Sequence, residues 1–398
     1  MGYEQHLSSL SRRSFLQAST AASAALAFRI VTEPMLAYAD WPTHPKDAVL
    51  INSNENPLGP CAAAREAVVA ITPQSGRYLD HVTDELVKQL AQDAGVTVEQ
   101  IKVYAGSSEP LHYTVMAFTS AQASFVTADP GYEAGTHAAR HAGARVVKVP
   151  LTKTYAHDVK AMLAAAPDAG VFYVCTPNNP TGTLTSHADI EYLVENKPKN
   201  SIVLVDEAYI HFSDAPSAVD LVKAGKDVIV LRTFSKLYGM AGLRCGVAIG
   251  RPDLVQKVQN YGGGNPMPVT AVAAATASLK EPQLVAERKR INEEVRAATF
   301  QWFDRNGYSY IPSVSNCFMV NTRRPAKEVI AAMAQQKVII GRIWPAMPTY
   351  TRITVGTSEE MERFQAAFQK VMKGTVVGQL RPKADLPLRH IDGFVLPG

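Results

Sequence analysis

Nothing in this chain is long and apolar enough to cross a bilayer. A membrane helix needs ~20 consecutive apolar residues, and the alanine-rich run Ala18–Phe28 falls well short of that. Lys and Arg form no run that would make a nucleic-acid stripe, and the formal charge is only +4 over 398 residues. Cysteine is scarce. Cys61, Cys175, Cys245 and Cys317 lie far apart and without metal-ligand spacing, so no metal site is expected. Three of them fall in apolar, strand-like stretches, and all four read as buried thiols, although an oxidising compartment would permit a pair. Internal repeats and low-complexity tracts are absent. With 46% hydrophobic and 19% charged residues, the chain can bury a substantial core and is not of disordered composition. Its length leaves room for one large domain and a smaller one.

The amino terminus differs from the rest. Ser11-Arg12-Arg13-Ser14-Phe15-Leu16-Gln17 places two adjacent arginines at a polar-to-apolar junction, and Leu36-Ala37-Tyr38-Ala39 offers the small residues a signal peptidase needs. This pattern predicts a twin-arginine export signal over residues 1–39, cleaved after Ala39, with a periplasmic or extracellular mature protein. The twin-arginine machinery carries folded proteins, so a cofactor could be inserted before transport.

Beyond Asp40, short β-branched runs alternate with helical stretches. Strands are expected over Ile101–Tyr104, Ser124–Thr127, Arg145–Val149, Gly170–Cys175, Ile202–Val205, Val228–Leu231 and Cys245–Ile249. Most are continuous apolar runs, as strands covered on both faces require. Helical patterns over Asp80–Gln92, Tyr132–His141 and His187–Glu195 alternate with them, which predicts an α/β fold with a doubly wound, mostly parallel sheet. A charged helix near Leu284–Phe303 is expected to lead into a small α/β domain with elements at Lys327–Gln335, Val338–Ile340, Arg352–Val355 and Glu360–Met372. The expected plan is a signal (1–39), an arm (40–60), a large domain (61–283), a small domain (284–375) and a tail (376–398).

Thr233-Phe234-Ser235-Lys236-Leu237, followed by Gly242-Leu243-Arg244, carries the most chemistry. A lysine between hydroxyls, with an arginine eight residues on, suits an aldehyde cofactor bearing a phosphate. Lys236 can form a Schiff base, while Thr233, Ser235 and Arg244 bind the phosphate. Asp206-Glu207-Ala208-Tyr209 ends an apolar strand, where open parallel sheets place ligands. Pyridoxal chemistry needs an anion beside the ring nitrogen, and Asp206 would supply it. Tyr209 can hydrogen-bond the ring hydroxyl oxygen. The bland alternative for Asp206 is an acidic cap on the next turn.

Thr176-Pro177-Asn178-Asn179-Pro180-Thr181-Gly182 follows another strand. It reads either as a tight loop or as a loop in which the Asn179 amide reaches the same ring oxygen, with a cis Asn179–Pro180 bond expected. Ser107 and Ser108, after Gly106, sit between a strand and a helix and could bind phosphate or merely cap. Tyr132 could stack on the cofactor face or serve as a core aromatic. Arg352 opens a late strand. Its fork suits an α-carboxylate, the alternative being an ion pair with Glu359 or Glu360.

Taken as a set, Asn-Glu-Asn-Pro-Leu-Gly-Pro from Asn54, Gly-Arg-Tyr-Leu-Asp from Gly76, Asn-Asn-Pro-Thr-Gly, Asp-Glu-Ala-Tyr, Thr-Phe-Ser-Lys with Gly-Leu-Arg, and Arg-Ile-Thr-Val-Gly-Thr resemble fold-type I aminotransferases of class I/II. The resemblance is strongest to the histidinol-phosphate aminotransferase family and runs from about Ala48 to Met372. It implies pyridoxal 5'-phosphate, amino acid and 2-oxo acid substrates, and a homodimer with shared active sites. It also implies ping-pong transfer with Lys236 as Schiff-base lysine and proton shuttle. Tyr78 would then reach the partner subunit's cofactor phosphate, Arg352 would hold the α-carboxylate, and Arg342 would grip the far end of the substrate. Two departures stand out. His211 occupies a position where the family often has an acidic residue, and the loop Ile343–Tyr350, with Trp344 and two prolines, differs at the substrate end. The same scaffold also supports decarboxylases, racemases and lyases, and a non-catalytic cofactor carrier is a further alternative.

Overall fold

The computed structural model describes residues 45–374, so the expected signal and tail lie outside the described residues. Twelve strands follow in chain order: β1 (Val49–Ile51), β2 (Ile101–Tyr104), β3 (Ser124–Asp129), β4 (Val146–Pro150), β5 (Ala169–Cys175), β6 (Ile202–Asp206), β7 (Val228–Thr233), β8 (Gly246–Gly250), β9 (Ser309–Tyr310), β10 (Cys317–Asn321), β11 (Val338–Ile340) and β12 (Tyr350–Thr354). Seven form one sheet in the order β2-β8-β7-β6-β5-β3-β4. Only β8 runs against its neighbours; the rest are parallel.

Side chains alternate across a strand, and here both alternating sets are apolar. Phe172 and Val174 of β5, Val203 and Val205 of β6, and Val228 and Val230 of β7 enter one buried cluster. Val171, Tyr173, Ile202, Leu204, Ile229 and Leu231 enter another on the opposite face. Helices cover both faces, which is why these strands read as unbroken apolar runs. Each such side chain contributes ~1.5–3 kcal/mol by leaving water.

A third cluster joins β1, β10, β11 and β12 to the helices Leu284–Arg305, Ala326–Gln335 and Ser358–Lys373 around Phe303, Phe318 and Phe364. Its sheet is antiparallel, in the order β12-β10-β9, and β1 pairs in parallel with β11. The amino-terminal arm is therefore stitched to the carboxyl-terminal part of the chain, with Val49 opposite Val338 and Ile51 opposite Ile340. Helix Ser358–Lys373 begins with a capping box in which Thr357 and Glu360 each accept the other's backbone N–H. Helix Ala134–His141 starts two residues later than its periodicity predicts: Glu133 is its N-cap and Tyr132 stays in the loop. All four cysteines are free thiols; Cys175, Cys245 and Cys317 are buried as expected, whereas Cys61 is only partly covered, at the N-cap of helix Ala62–Ile71.

Candidate active site

The parallel strands end on one edge of the sheet, and the loops leaving those ends enclose a cavity of about 540 Å³. Ser107 comes from the loop after β2 and Ser108 from the start of the helix that follows, Tyr132 from the loop after β3, Asn179 from that after β5, Tyr209 from that after β6, and Lys236 from that after β7. Arg342 and Arg352 reach in from the smaller sheet. Every residue picked from the sequence as a site residue lines this cavity except Tyr78, which is exposed on the surface.

Asp206 is the last residue of β6 and is buried. Its Oδ2 accepts a hydrogen bond from Tyr173 Oη at 2.8 Å, and its Oδ1 accepts the Ala208 N–H at 3.1 Å. The second bond is the turn cap anticipated for an acidic residue here; the first is not. Burial and the adjacent Asp206 charge push the Tyr173 phenol well above its ordinary pKa, so it stays a donor. Tyr209 Oη accepts from Asn54 Nδ2 at 2.9 Å. Asn54 itself sits in the left-handed region (φ 54°) and is fixed by Thr354, whose Oγ1 accepts its N–H at 2.9 Å. The arm thereby positions the tyrosine.

Around Lys236 the hydroxyls interlock. Thr233 Oγ1 lies 2.9 Å from Ser235 Oγ, and Arg244 Nη1 donates to Ser235 Oγ at 3.3 Å and to Ala241 O at 2.9 Å. The Arg244 guanidinium rests against Gly106, where a Cβ would lie 2.1 Å from Nη2. Only glycine permits that approach, at φ +93°. Ser107 precedes helix Ser108–Phe118 but makes no side-chain cap bond, so its hydroxyl is not consumed by the helix. Lys236 is buried, with Nζ 3.5 Å from Ser53 O and 5.7 Å from the Tyr209 ring centroid.

At the other end, Arg352 does not pair with Glu359 or Glu360. Glu360 is committed to the helix cap, and Arg352 instead donates to Asn179 Oδ1 at 2.7 Å and to Asn52 O at 2.6 Å. The Asn179–Pro180 bond is cis. Trp344 lies beneath both arginines, 4.9 Å from Arg342 Cζ and 5.4 Å from Arg352 Cζ, and donates its indole N–H to Gly131 O at 3.0 Å. Arg342 forms an ion pair with Glu133.

Three supporting residues escaped sequence reasoning. Tyr173 could have been found from strand register, since it pairs with Leu204 and so shares a face with Asp206 two residues on. The hold of Asn54 on Tyr209 and the pairing of Glu133 with Arg342 join segments far apart in the chain, and no local pattern announces them.

These groups suit one cofactor. A buried carboxylate held by a phenol, hydroxyls beside a guanidinium, and a buried lysine between them match a protonated pyridine nitrogen, a phosphate and an aldehyde. What the fold and the cavity define is thus an enzyme that handles amino groups through pyridoxal phosphate. The chain belongs to the class I and II aminotransferase family, whose model matches residues 46–368. It is a pyridoxal-phosphate-dependent aminotransferase of fold-type I, similar to histidinol-phosphate aminotransferases. The histidinol-phosphate aminotransferase of Moorella thermoacetica is 33% identical over 334 residues, covering 82% of this chain and 86% of that protein. The aromatic amino acid aminotransferase of Cutibacterium acnes is 33% identical over 352 residues, covering 87% and 99%. In fold, the chain matches the histidinol-phosphate aminotransferase of Sinorhizobium meliloti, solved in complex with pyridoxal-5'-phosphate. The TM-score is 0.75 at 24% identity, over 83% of this chain and 92% of that one.

Proposed function

We propose that the catalytic unit is Lys236, Asp206 and Tyr209, working on an α-amino acid and a 2-oxo acid. When bound, pyridoxal phosphate supplies a ring that draws electrons away from the substrate's α-carbon. Asp206, buried and clamped by Tyr173 and Ala208, holds a proton on the ring nitrogen. Tyr209, oriented by Asn54, donates to the ring oxygen, with Asn179 beside it. Ser107, Ser108, Thr233, Ser235 and Arg244 hold the phosphate, and Tyr132 covers the ring face. Lys236 Nζ carries the proton to and from the α-carbon. Arg352 binds the α-carboxylate bidentately, and Arg342 faces the far end of the substrate.

The observation that carries this reading is the shared cavity. Lys236 and Asp206 are both buried and both line it, with the hydroxyls and Arg244 alongside. Borohydride reduction followed by peptide mass mapping should place the cofactor on Lys236. Lys236→Ala should lower the rate of amino transfer by ~10²–10⁴-fold. Retained transfer in that variant would overturn the assignment.

The mature protein also acts, in our reading, as a homodimer in the periplasm or outside the cell, delivered by the twin-arginine machinery. Support for the dimer is the exposure of Tyr78, a large aromatic 73% accessible within a motif expected to serve a neighbouring subunit. Support for export is the Arg12-Arg13 junction and the small residues up to Ala39.

A further inference from the structure

The far end of the cavity is not simply cationic. Arg342 lines the cavity, and Ile330, Ile339 and Ile340 add apolar surface to its wall. The guanidinium already has a counter-charge in Glu133, and both side chains are largely covered, at 26% and 29% exposure. Glu133 stands at the N-cap of helix Ala134–His141 yet makes no side-chain cap bond, so its carboxylate is given to Arg342 rather than to the helix. His137, one turn on, has its pKa lowered by burial, with the Arg140 charge reinforcing the shift, and adds no compensating positive charge near neutral pH. Trp344, packed under the guanidinium, limits how far Arg342 can swing away from Glu133. Among the described buried side-chain atoms, Arg342 Nε has no hydrogen-bond partner.

We propose that Glu133 is a specificity-determining residue of this aminotransferase: by neutralising Arg342 it selects substrates whose side chain is uncharged and largely apolar, and disfavours those ending in a carboxylate or phosphate. An incoming anion would have to share Arg342 with a carboxylate already bound, and like charges so placed repel in a half-buried site. An aromatic or aliphatic side chain set against the cavity's isoleucines carries no such cost. This inference rests on the reading that Arg352 takes the α-carboxylate and Arg342 faces the side chain.

The test is calorimetric binding of two non-reacting carboxylates to the holoenzyme, 3-(4-hydroxyphenyl)propionate and glutarate. The wild-type protein should bind the aryl acid at least about tenfold tighter. Glu133→Gln should tighten glutarate by about tenfold or more while leaving the aryl acid within about threefold. The double variant Glu133→Gln/Arg342→Gln should lose the glutarate gain. Glutarate binding the wild type as tightly as the aryl acid would overturn the proposal, and that comparison needs no variant to fold. An unchanged ratio in Glu133→Gln would do the same. Arg352→Gln separates the two levels: if it binds both acids as well as wild type does, or if wild type binds neither, the underlying site reading falls and the proposal with it.

Discussion

Gly106→Ala isolates the end of the cavity proposed to hold the phosphate. The added Cβ would lie 2.1 Å from Arg244 Nη2 and 2.8 Å from Cζ, so the guanidinium must retreat by more than ~1 Å to restore a normal contact. The clashing atoms are the tip of a flexible side chain, so the clash itself costs little stability. The backbone conformation, at φ +93°, costs ~1–3 kcal/mol for a residue with a Cβ. Function suffers differently. Each charge-assisted hydrogen bond from Arg244 to a phosphate contributes ~1.5–3 kcal/mol, so its loss should weaken pyridoxal phosphate binding roughly 10- to 150-fold. Equilibrium titration of cofactor-free protein with pyridoxal phosphate measures this directly. Gly143→Ala is the control. That glycine also has positive φ (+70°), but its Cβ would meet nothing within 4 Å, so stability should fall while cofactor affinity holds. If Gly106→Ala bound the cofactor within about twofold of wild type, the assignment of Arg244 to the phosphate would be wrong.

Tyr173→Phe removes the donor 2.8 Å from Asp206 Oδ2 and should destabilise the protein by ~1.5–3 kcal/mol in urea unfolding; a change below ~0.5 kcal/mol would show that the bond contributes nothing. His157 is buried, with Nδ1 2.9 Å from Thr185 Oγ1 and Nε2 accepting the Cys175 N–H at 3.4 Å, and burial lowers its pKa from 6.5 to about 4. Its unfolded form takes a proton near 6.5 that the folded form refuses until about 4, so its contribution to stability is whole above the upper value. That contribution is lost as pH falls, at up to ~1.4 kcal/mol per pH unit. His112, also lowered to about 4 by burial, adds to the loss. His157→Gln should flatten the decline between about pH 7 and pH 4.5, and an unaltered slope in urea melts at those two limits would refute it. Replacing Arg12 and Arg13 together by lysine should leave the protein in the cytoplasm on cell fractionation; undiminished export would remove the twin-arginine assignment.

Strand runs such as Ile202–Val205 are legible in the sequence because a strand buried on both faces leaves no alternative to continuous apolar residues. The candidate site residues are legible for a related reason. Asp206 ends a strand and Asn179 and Lys236 follow strand ends, where open parallel sheets place ligands, so local sequence and location coincide. Strand β10, Cys317–Asn321, was not anticipated, because five residues between serine-rich and arginine-rich turns carry too little periodicity to distinguish a strand from a buried loop. Arg352 lines the cavity, but its partners Asn179 and Asn52 lie 173 and 300 positions away. Such contacts are set by how the two cores dock, and no window of sequence encodes them.

The arm that pairs with β11 also supplies Asn52 O to Arg352, Ser53 O to Lys236 and the Asn54 amide to Tyr209. Asn52, Ser53 and Asn54 therefore wait for segments synthesised some 155 to 300 residues later before the pocket can close. Closing so long a loop is slow relative to local helix formation. A ribosome-bound or carboxyl-truncated chain would consequently hold its lysine in an unfinished cleft, and competence for cofactor would mark the completed polypeptide.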